Sequence, residues 1–316
     1  MMDYHQAGLD REVAALLAAI AASGAPALET LTPNEARASV ALMREMLWPP
    51  VPDVIIRTVE AGDQLPVRIR IYRPPNTGGD QLLPGMIYFH GGGWVVGDLD
   101  LYNALCASLA IEGGLSVVSV DYRLAPEHRF PSAFEDSTRA TVWIAAHARE
   151  LGLDVDRLAL GGDSAGSALA ASTAIWCRDR GDPSIRAEFL LYPAVDLDQE
   201  RASYREIGEG YILTTRALRW FRDHYLERRS DAEDWRASPL RAQSHVHLPP
   251  AFILTCGFDP LRDEGGEYAS VLRSAGVSVV HHHVADQVHG FLQWGGAVAA
   301  SNKALAHCAA TLARML

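Results

Sequence analysis

The strongest constraint on the fold is an alternation that starts at Met86, where short, continuous apolar runs take turns with longer segments of helical period. Met86–Phe89, Leu115–Val120, Arg157–Leu160, Glu188–Val195, Ala251–Cys256 and Val277–His283 read as strands. Leu99–Ile111, Ala133–His147, Ala165–Cys177 and Glu264–Ala275 read as the helices between them, and Ala297–Met315 closes the chain as another. Strands with no polar face are buried on both sides. The order therefore predicts an α/β fold, a parallel sheet with helices on both faces. Val54–Val59 and Val67–Tyr72 come earlier; the second alternates apolar residues with arginine, which suits antiparallel strands at a sheet edge.

Two stretches stand outside this rhythm. Residues 10–48 read as two helices, the second opening at Thr32-Pro33 with Glu35 behind it and stopped by Pro49-Pro50. Residues 198–242 contain no strand; Leu213-Thr214-Thr215 opens a helix carrying Trp220, Phe221 and Tyr225. An insertion of that length between two core strands reads as a lid or binding element.

Charge removes some classes of partner. The formal net charge is −11 and the pI is near 5.5, a balance that repels phosphate backbones and anionic lipid, so neither nucleic acid nor a membrane is expected as a partner. Val13 to Leu28 is an uncharged, alanine-rich run, but Asp10, Arg11 and Glu12 precede it and Gly24 and Pro26 interrupt it. It reads as a helix rather than a signal peptide, and it is too short for a membrane span. Cys106, Cys177, Cys256 and Cys308 have no paired spacing, which fits reduced, buried thiols in the cytoplasm.

The chemistry gathers at the ends of the strands. Gly162-Asp163-Ser164-Ala165-Gly166 lies between a strand and a helix. A tight turn there pushes a serine hydroxyl out to meet a base and a substrate, and flanking glycines keep side chains out of the turn. Ser164 is the candidate nucleophile. Asp163 beside it reads as a structural hydrogen-bonder. His90-Gly91-Gly92-Gly93-Trp94 follows the strand Met86–Phe89. Consecutive glycines let backbone N–H groups approach a developing oxyanion, so Gly91 and Gly92 with Ala165 are the expected donors.

Twelve histidines compete for the role of base. His289, between the last strand and the last helix, stands where a base should project. His281, His282 and His283 lie within a strand, where neighbours point to opposite faces, so no metal site is expected there. Asp259, just after the strand Ala251–Cys256, is the expected acid, with Asp196 as its rival. Asp263 and Glu264 read as the acidic start of the next helix.

Taken together, these motifs resemble the bacterial hormone-sensitive-lipase family of esterases, also called family IV. The matching pieces are His90–Trp94, Asp121-Tyr122-Arg123-Leu124-Ala125-Pro126-Glu127, Gly162–Gly166, Tyr192-Pro193, Asp259–Gly265 and His289-Gly290-Phe291, in the family's order. One departure stands out. The family reads GDSAGG at the elbow, and here Ser167 replaces the last glycine, from which packing effects rather than lost catalysis are expected.

The resemblance implies an α/β-hydrolase fold, with a mostly parallel eight-stranded sheet flanked by helices. It implies core segments at 51–197 and 243–316, and a helical cap made of 1–50 and 198–242. It also implies pairing of chains through the edge of the last strand, and action on short- and medium-chain acyl esters. Asp121, Tyr122, Arg123, Pro126 and Glu127 are implied to be structural.

The mechanism expected is a Ser164–His289–Asp259 triad forming an acyl-enzyme on a small-molecule ester, with no metal and no organic cofactor. Trp94, Met43, Trp48, Tyr211, Ile212, Leu213 and Phe221 are candidates to line an apolar acyl pocket, and each fits equally as core of the cap. The same machinery serves amides and lactones. A non-catalytic receptor on this scaffold is the other rival; plant gibberellin receptors resemble the family but lack the histidine that is present here as His289.

Overall fold

Asp10 starts the first helix by accepting the amides of Glu12 and Val13, which would otherwise be orphaned at its N-terminus. This is α1 (Arg11–Ala22). A capping box starts α2 (Pro33–Leu47): Thr32 accepts the Glu35 amide and Glu35 accepts the Thr32 amide. The computed structural model describes residues 8–62, 65–78 and 81–316, so the first seven residues of the 1–50 segment lie outside the described residues.

Eight strands follow in one sheet: β1 (Ile55–Ala61), β2 (Val67–Arg73), β3 (Leu83–Phe89), β4 (Ser116–Val120), β5 (Leu153–Asp163), β6 (Ala187–Leu191), β7 (Ala251–Phe258) and β8 (Val279–Val288). Their spatial order is β1-β2-β4-β3-β5-β6-β7-β8. The first two are antiparallel additions at one edge, and β4, β3, β5, β6, β7 and β8 run parallel. The remaining helices are α3 (Asn103–Gly113), α4 (Ser132–Ala146), α5 (Ala165–Arg180), α6 (Ala202–Glu206), α7 (Thr215–Tyr225), α8 (Arg262–Ser274) and α9 (Ala299–Met315).

The period of two along β3 divides the core. Met86 and Tyr88 join α1, α3 and α9 on one face, while Ile87 and Phe89 join α4, α5 and α8 on the other. Chain direction across the sheet reverses between β3 and β5, which are hydrogen-bonded neighbours, so the crevice at their C-terminal ends is a topological switch point. Among the described residues no helix is long and apolar enough to cross a membrane.

Several element boundaries differ from the sequence reading: β5 runs Leu153–Asp163 rather than Arg157–Leu160, and α3, β6 and β8 also shift. α3 starts at Asn103 rather than Leu99, because the Asp98 carboxylate accepts the Leu101 amide and holds the preceding residues in a turn. β6 stops at Leu191 rather than Val195. Tyr192 takes a left-handed φ of 37°, and Pro193 has no N–H to donate. β8 runs on to Val288 and so ends directly beneath His289.

Residues 198–242 hold α6, α7 and two 3-10 turns, at Arg229–Glu233 and Pro239–Arg241. Asp196 clasps the two ends of this excursion: its carboxylate takes Arg201 at 2.7 Å and Arg241 at 2.8 Å. Buried Glu264 braces the same corner, accepting the amides of Val195 and Asp196 and the hydroxyl of Tyr204.

Candidate active site

The elbow is built by exclusion. A Cβ on Gly166 would overlap the Phe89 carbonyl, and one on Gly162 would overlap Gly166 itself, so β3, β5 and α5 can meet only with glycine at both positions. Ser164 pivots between them at φ 53° and ψ −120°, a strained turn for a residue with a side chain. Its amide donates to the Leu191 carbonyl at 2.8 Å, which fixes the turn to the end of β6.

The hydroxyl that this turn presents lies 2.9 Å from Nε2 of His289, and His289 Nδ1 lies 2.8 Å from Oδ2 of Asp259. Asp259 is fully buried, and its other oxygen accepts the Leu261 amide at 2.9 Å, so the carboxylate cannot swing away. The Tyr192 ring meets the imidazole edge-on at 4.7 Å. The three sequence candidates thus form one hydrogen-bonded line. Asp196, the rival acid, is committed to Arg201 and Arg241 instead.

The glycine loop after β3 departs from expectation. Gly91 is not a free donor, because its amide is bonded at 2.7 Å to Oδ1 of Asp163. The register explains why: Phe89 pairs with Gly162, so the residues leaving β3 and β5 emerge side by side. The amides of Gly92, Gly93 and Ala165 carry no hydrogen bond among the described residues. Ala165 is the first residue of α5, where the positive end of a helix dipole favours an anion. Sequence reasoning did not single out Gly93, whose amide is free beside that of Gly92. The third glycine of the run was the available signal.

Asp163 is the hydrogen-bonder the sequence suggested. It accepts from Tyr88 at 2.8 Å, from Tyr102 at 3.0 Å and from Gly91. Burial pushes its carboxyl up, and these three donors oppose the shift by favouring the ionised form. Burial lowers His90, keeping that imidazole neutral between the rings of Tyr122 and Tyr102.

The seven candidate lining residues separate. Trp94 is buried and stacked on Tyr225 of α7, with centroids 4.3 Å apart, which makes it packing between the glycine loop and the insertion. Phe221 and Leu213 are buried, and Phe221 lies where a Cβ on Gly93 would be. Met43, Trp48 and Tyr211 are half-buried against the opposite core cluster, Tyr211 with its ring 5.2 Å from that of Phe258, and half-buried Ile212 packs against both clusters. His281 and His283 converge on the Thr255 hydroxyl while His282 turns to His307, as strand alternation requires. Among the described residues no cluster of three or more metal-ligating side chains occurs. A cleft of about 410 Å³ beside Arg37 and one of about 460 Å³ among Arg219, Arg222 and Arg229 hold no residue of the Ser-His-Asp line. Hydrogen bonding, not cavity size, singles out the site.

A fold of this topology, with a serine at the elbow after β5 and a histidine after β8, defines an α/β hydrolase. A family profile described as the alpha/beta hydrolase fold matches residues 86–293, and the chain belongs to that family, in its hormone-sensitive-lipase-like branch. It is 42% identical over 243 residues to Esterase LipI of Mycobacterium tuberculosis, covering 76% of this chain and 75% of that one. It is 36% identical over 283 residues to Carboxylesterase NlhH of the same species, covering 87% and 88%. Among solved structures, an ester-hydrolase from the metagenome of Lake Arreo, complexed with a derivative of bipyridine phosphonate, superposes with a TM-score of 0.93 at 38% identity. It covers 97% of this chain and 98% of its own. A thermostable esterase from Pseudomonas putida gives 0.92 at 35% identity over 98% of both chains.

Proposed function

We propose that this chain is a serine carboxylesterase that hydrolyses short- to medium-chain acyl esters through an acyl-enzyme intermediate. The chain is a carboxylic ester hydrolase, as its family and named relatives are. The finer reading rests on one observation, the continuous line from Ser164 through His289 to Asp259 at 2.9 and 2.8 Å.

Ser164 Oγ attacks the ester carbonyl carbon as His289 Nε2 takes its proton, and buried Asp259 stabilises the imidazolium that forms. The amides of Gly92, Gly93 and Ala165 receive the oxyanion. His289 then protonates the leaving alcohol. It next takes a proton from water, whose oxygen attacks the acyl carbon, and returns that proton to Ser164 Oγ as the acid is released.

The cap belongs to the same proposal: residues 8–50, the described part of the 1–50 segment, and residues 198–242 cover the site from two sides. Arg37 of α2 donates to the carbonyls of Val95 and Ala125 and to Glu127, Phe221 of α7 packs on Gly93, and Arg216 of α7 pairs with Glu29 at 2.9 Å. So do a cytoplasmic location, supported by four buried, unpaired cysteines, and pairing of two chains along the free edge of β8.

The test is hydrolysis of p-nitrophenyl esters from acetate to palmitate by the wild type and by Ser164→Ala. Turnover of the shorter esters that vanishes in the variant is expected. Folded protein with no serine-dependent ester turnover, yet with turnover of matched amides or lactones or tight ligand binding, would refute it.

A further inference from the structure

The glycine loop is held from behind, one peptide plane at a time. On the His90–Gly91 plane, the carbonyl accepts from the Tyr122 hydroxyl at 2.7 Å and the amide donates to Asp163 at 2.7 Å. On the next plane the Gly91 carbonyl faces His90 Nδ1 at 2.8 Å. On the third the Gly92 carbonyl accepts the amides of Val95 and Val96 at 3.1 and 2.9 Å. In a trans peptide the N–H points opposite to the C=O of its own plane. The Gly92 amide is therefore turned away from the His90 ring, and the Gly93 amide away from the turn at Val95.

Only the first of these planes is tied to the strand that carries the nucleophile, and the tie is Asp163. Its carboxylate also reaches Tyr102, beside the start of α3, and lies 3.5 Å from Nε2 of Gln293, four residues beyond His289. Three short contacts, from Tyr88, Tyr102 and Gly91, all donate to it, so the site asks for a group that only accepts. There is no slack: a Cβ on Gly91 would overlap the carboxylate.

We propose that Asp163 is a positioning residue that removes the Gly91 amide from the oxyanion site and fixes Gly92 and Gly93 as its donors relative to Ser164. The inference rests on the serine-esterase reading. Asp163 touches no reacting atom; it acts through the loop. Its effect belongs to the transition state, because the ester carbonyl carries little charge before attack and a full charge after it.

The experiment compares wild type, Asp163→Asn and Asp163→Ala with p-nitrophenyl butyrate. It adds inhibition by an alkyl trifluoromethyl ketone, which adds Ser164 Oγ to its carbonyl to give an oxyanion, and by the matching methyl ketone, which binds without adding. Asp163→Ala is expected to lower kcat by about 100-fold, the scale of losing one oxyanion donor, with KM nearly unchanged. The trifluoromethyl ketone should weaken by the same factor and the methyl ketone not at all. Asp163→Asn keeps one acceptor for Gly91 and should recover most of the loss, to within about tenfold of wild type. Wild-type kcat in Asp163→Ala, or equal weakening of both ketones, overturns the inference. If Asp163→Ala does not fold, Asp163→Asn decides: reduced kcat at constant KM supports the role, and wild-type kcat overturns it. An active wild type with an indifferent Asp163 refutes this inference alone, whereas a wild type without Ser164-dependent turnover refutes the reading beneath it.

Discussion

Ser167 stands where the family pattern has glycine, and its hydroxyl has been put to use. Oγ donates to the Gly162 carbonyl at 2.7 Å and accepts the Leu191 amide at 3.0 Å. Asp163 pairs with Leu191 in the β5–β6 register, so the hydroxyl bridges the two strands at the point where they part to form the elbow. Ser167→Ala leaves the methylene in place, so the variant opens almost no cavity. It leaves a buried carbonyl and a buried amide without this partner. Each such group costs about 1–3 kcal/mol, and together they should cost about 2–6 kcal/mol. In a chain of this size that lowers Tm by about 3–9 °C. Ser167→Gly should lose about 1 kcal/mol more, because glycine inside a helix carries a backbone entropy cost. Thermal and urea unfolding give the stability, and p-nitrophenyl butyrate hydrolysis at 25 °C gives the activity, which should stay close to wild type because the line from Ser164 to Asp259 is untouched. Unchanged stability would refute the bridge. Lost activity at unchanged stability would refute it more sharply, by moving the hydroxyl from architecture into chemistry.

Two further substitutions probe the acid and the core. Asp259→Asn offers His289 Nδ1 an amide in place of an acceptor, which selects the wrong imidazole tautomer. kcat should fall about 10⁴-fold, the loss seen on amidating this carboxylate in another Ser-His-Asp hydrolase, with the unfolding midpoint little changed. Glu188 on β6 is fully buried with neither oxygen bonded among the described residues, and burial pushes its carboxyl from 4.5 up to about 8. The folded state keeps this proton where the unfolded chain releases it. Its contribution to stability is therefore whole below pH 4.5 and is lost as pH rises toward 8, at up to about 1.4 kcal/mol per pH unit. Glu188→Gln removes that slope, so urea midpoints of wild type and variant should diverge with rising pH across this window; parallel curves would refute the assignment.

The sequence was most legible where local chemistry and the global fold agree. The short, mostly apolar runs of β3, β4 and β7, alternating with helical segments, read as interior strands, and Gly162 and Gly166 could be read as glycines of necessity before their neighbours were known. Legibility failed where a boundary depends on one side chain. Asp98 holds back the start of α3, and nothing in a helical period announces that. Likewise, the strand read at Val277–His283 stops short of the observed one, because β8 continues through the polar Asp286 and Gln287 to Val288. The aromatic candidates for the acyl pocket were open to two readings, and partner geometry places two of them: Trp94 of the glycine loop is taken by Tyr225, and Phe221 of the insertion by the space Gly93 leaves.

Gly91 is the most instructive case, because the sequence reading takes its amide as an oxyanion donor and the structure bonds that amide to Asp163. A run of three glycines states that backbone amides will face a charge, but not which amides remain free. That depends on a bond between residues 91 and 163, which no window of sequence contains. It becomes derivable only once the register sets Phe89 against Gly162, for then Gly91 and Asp163 must leave adjacent strands together and a buried carboxylate beside an N–H must accept it. The same register brings Ser164 and the free amides of Gly92 and Gly93 to one crevice. The aspartate of the elbow and the first glycine of the loop are therefore best read as one joint between two strands, and in the proposed mechanism the chemistry begins at the next residue on each side, Ser164 and Gly92.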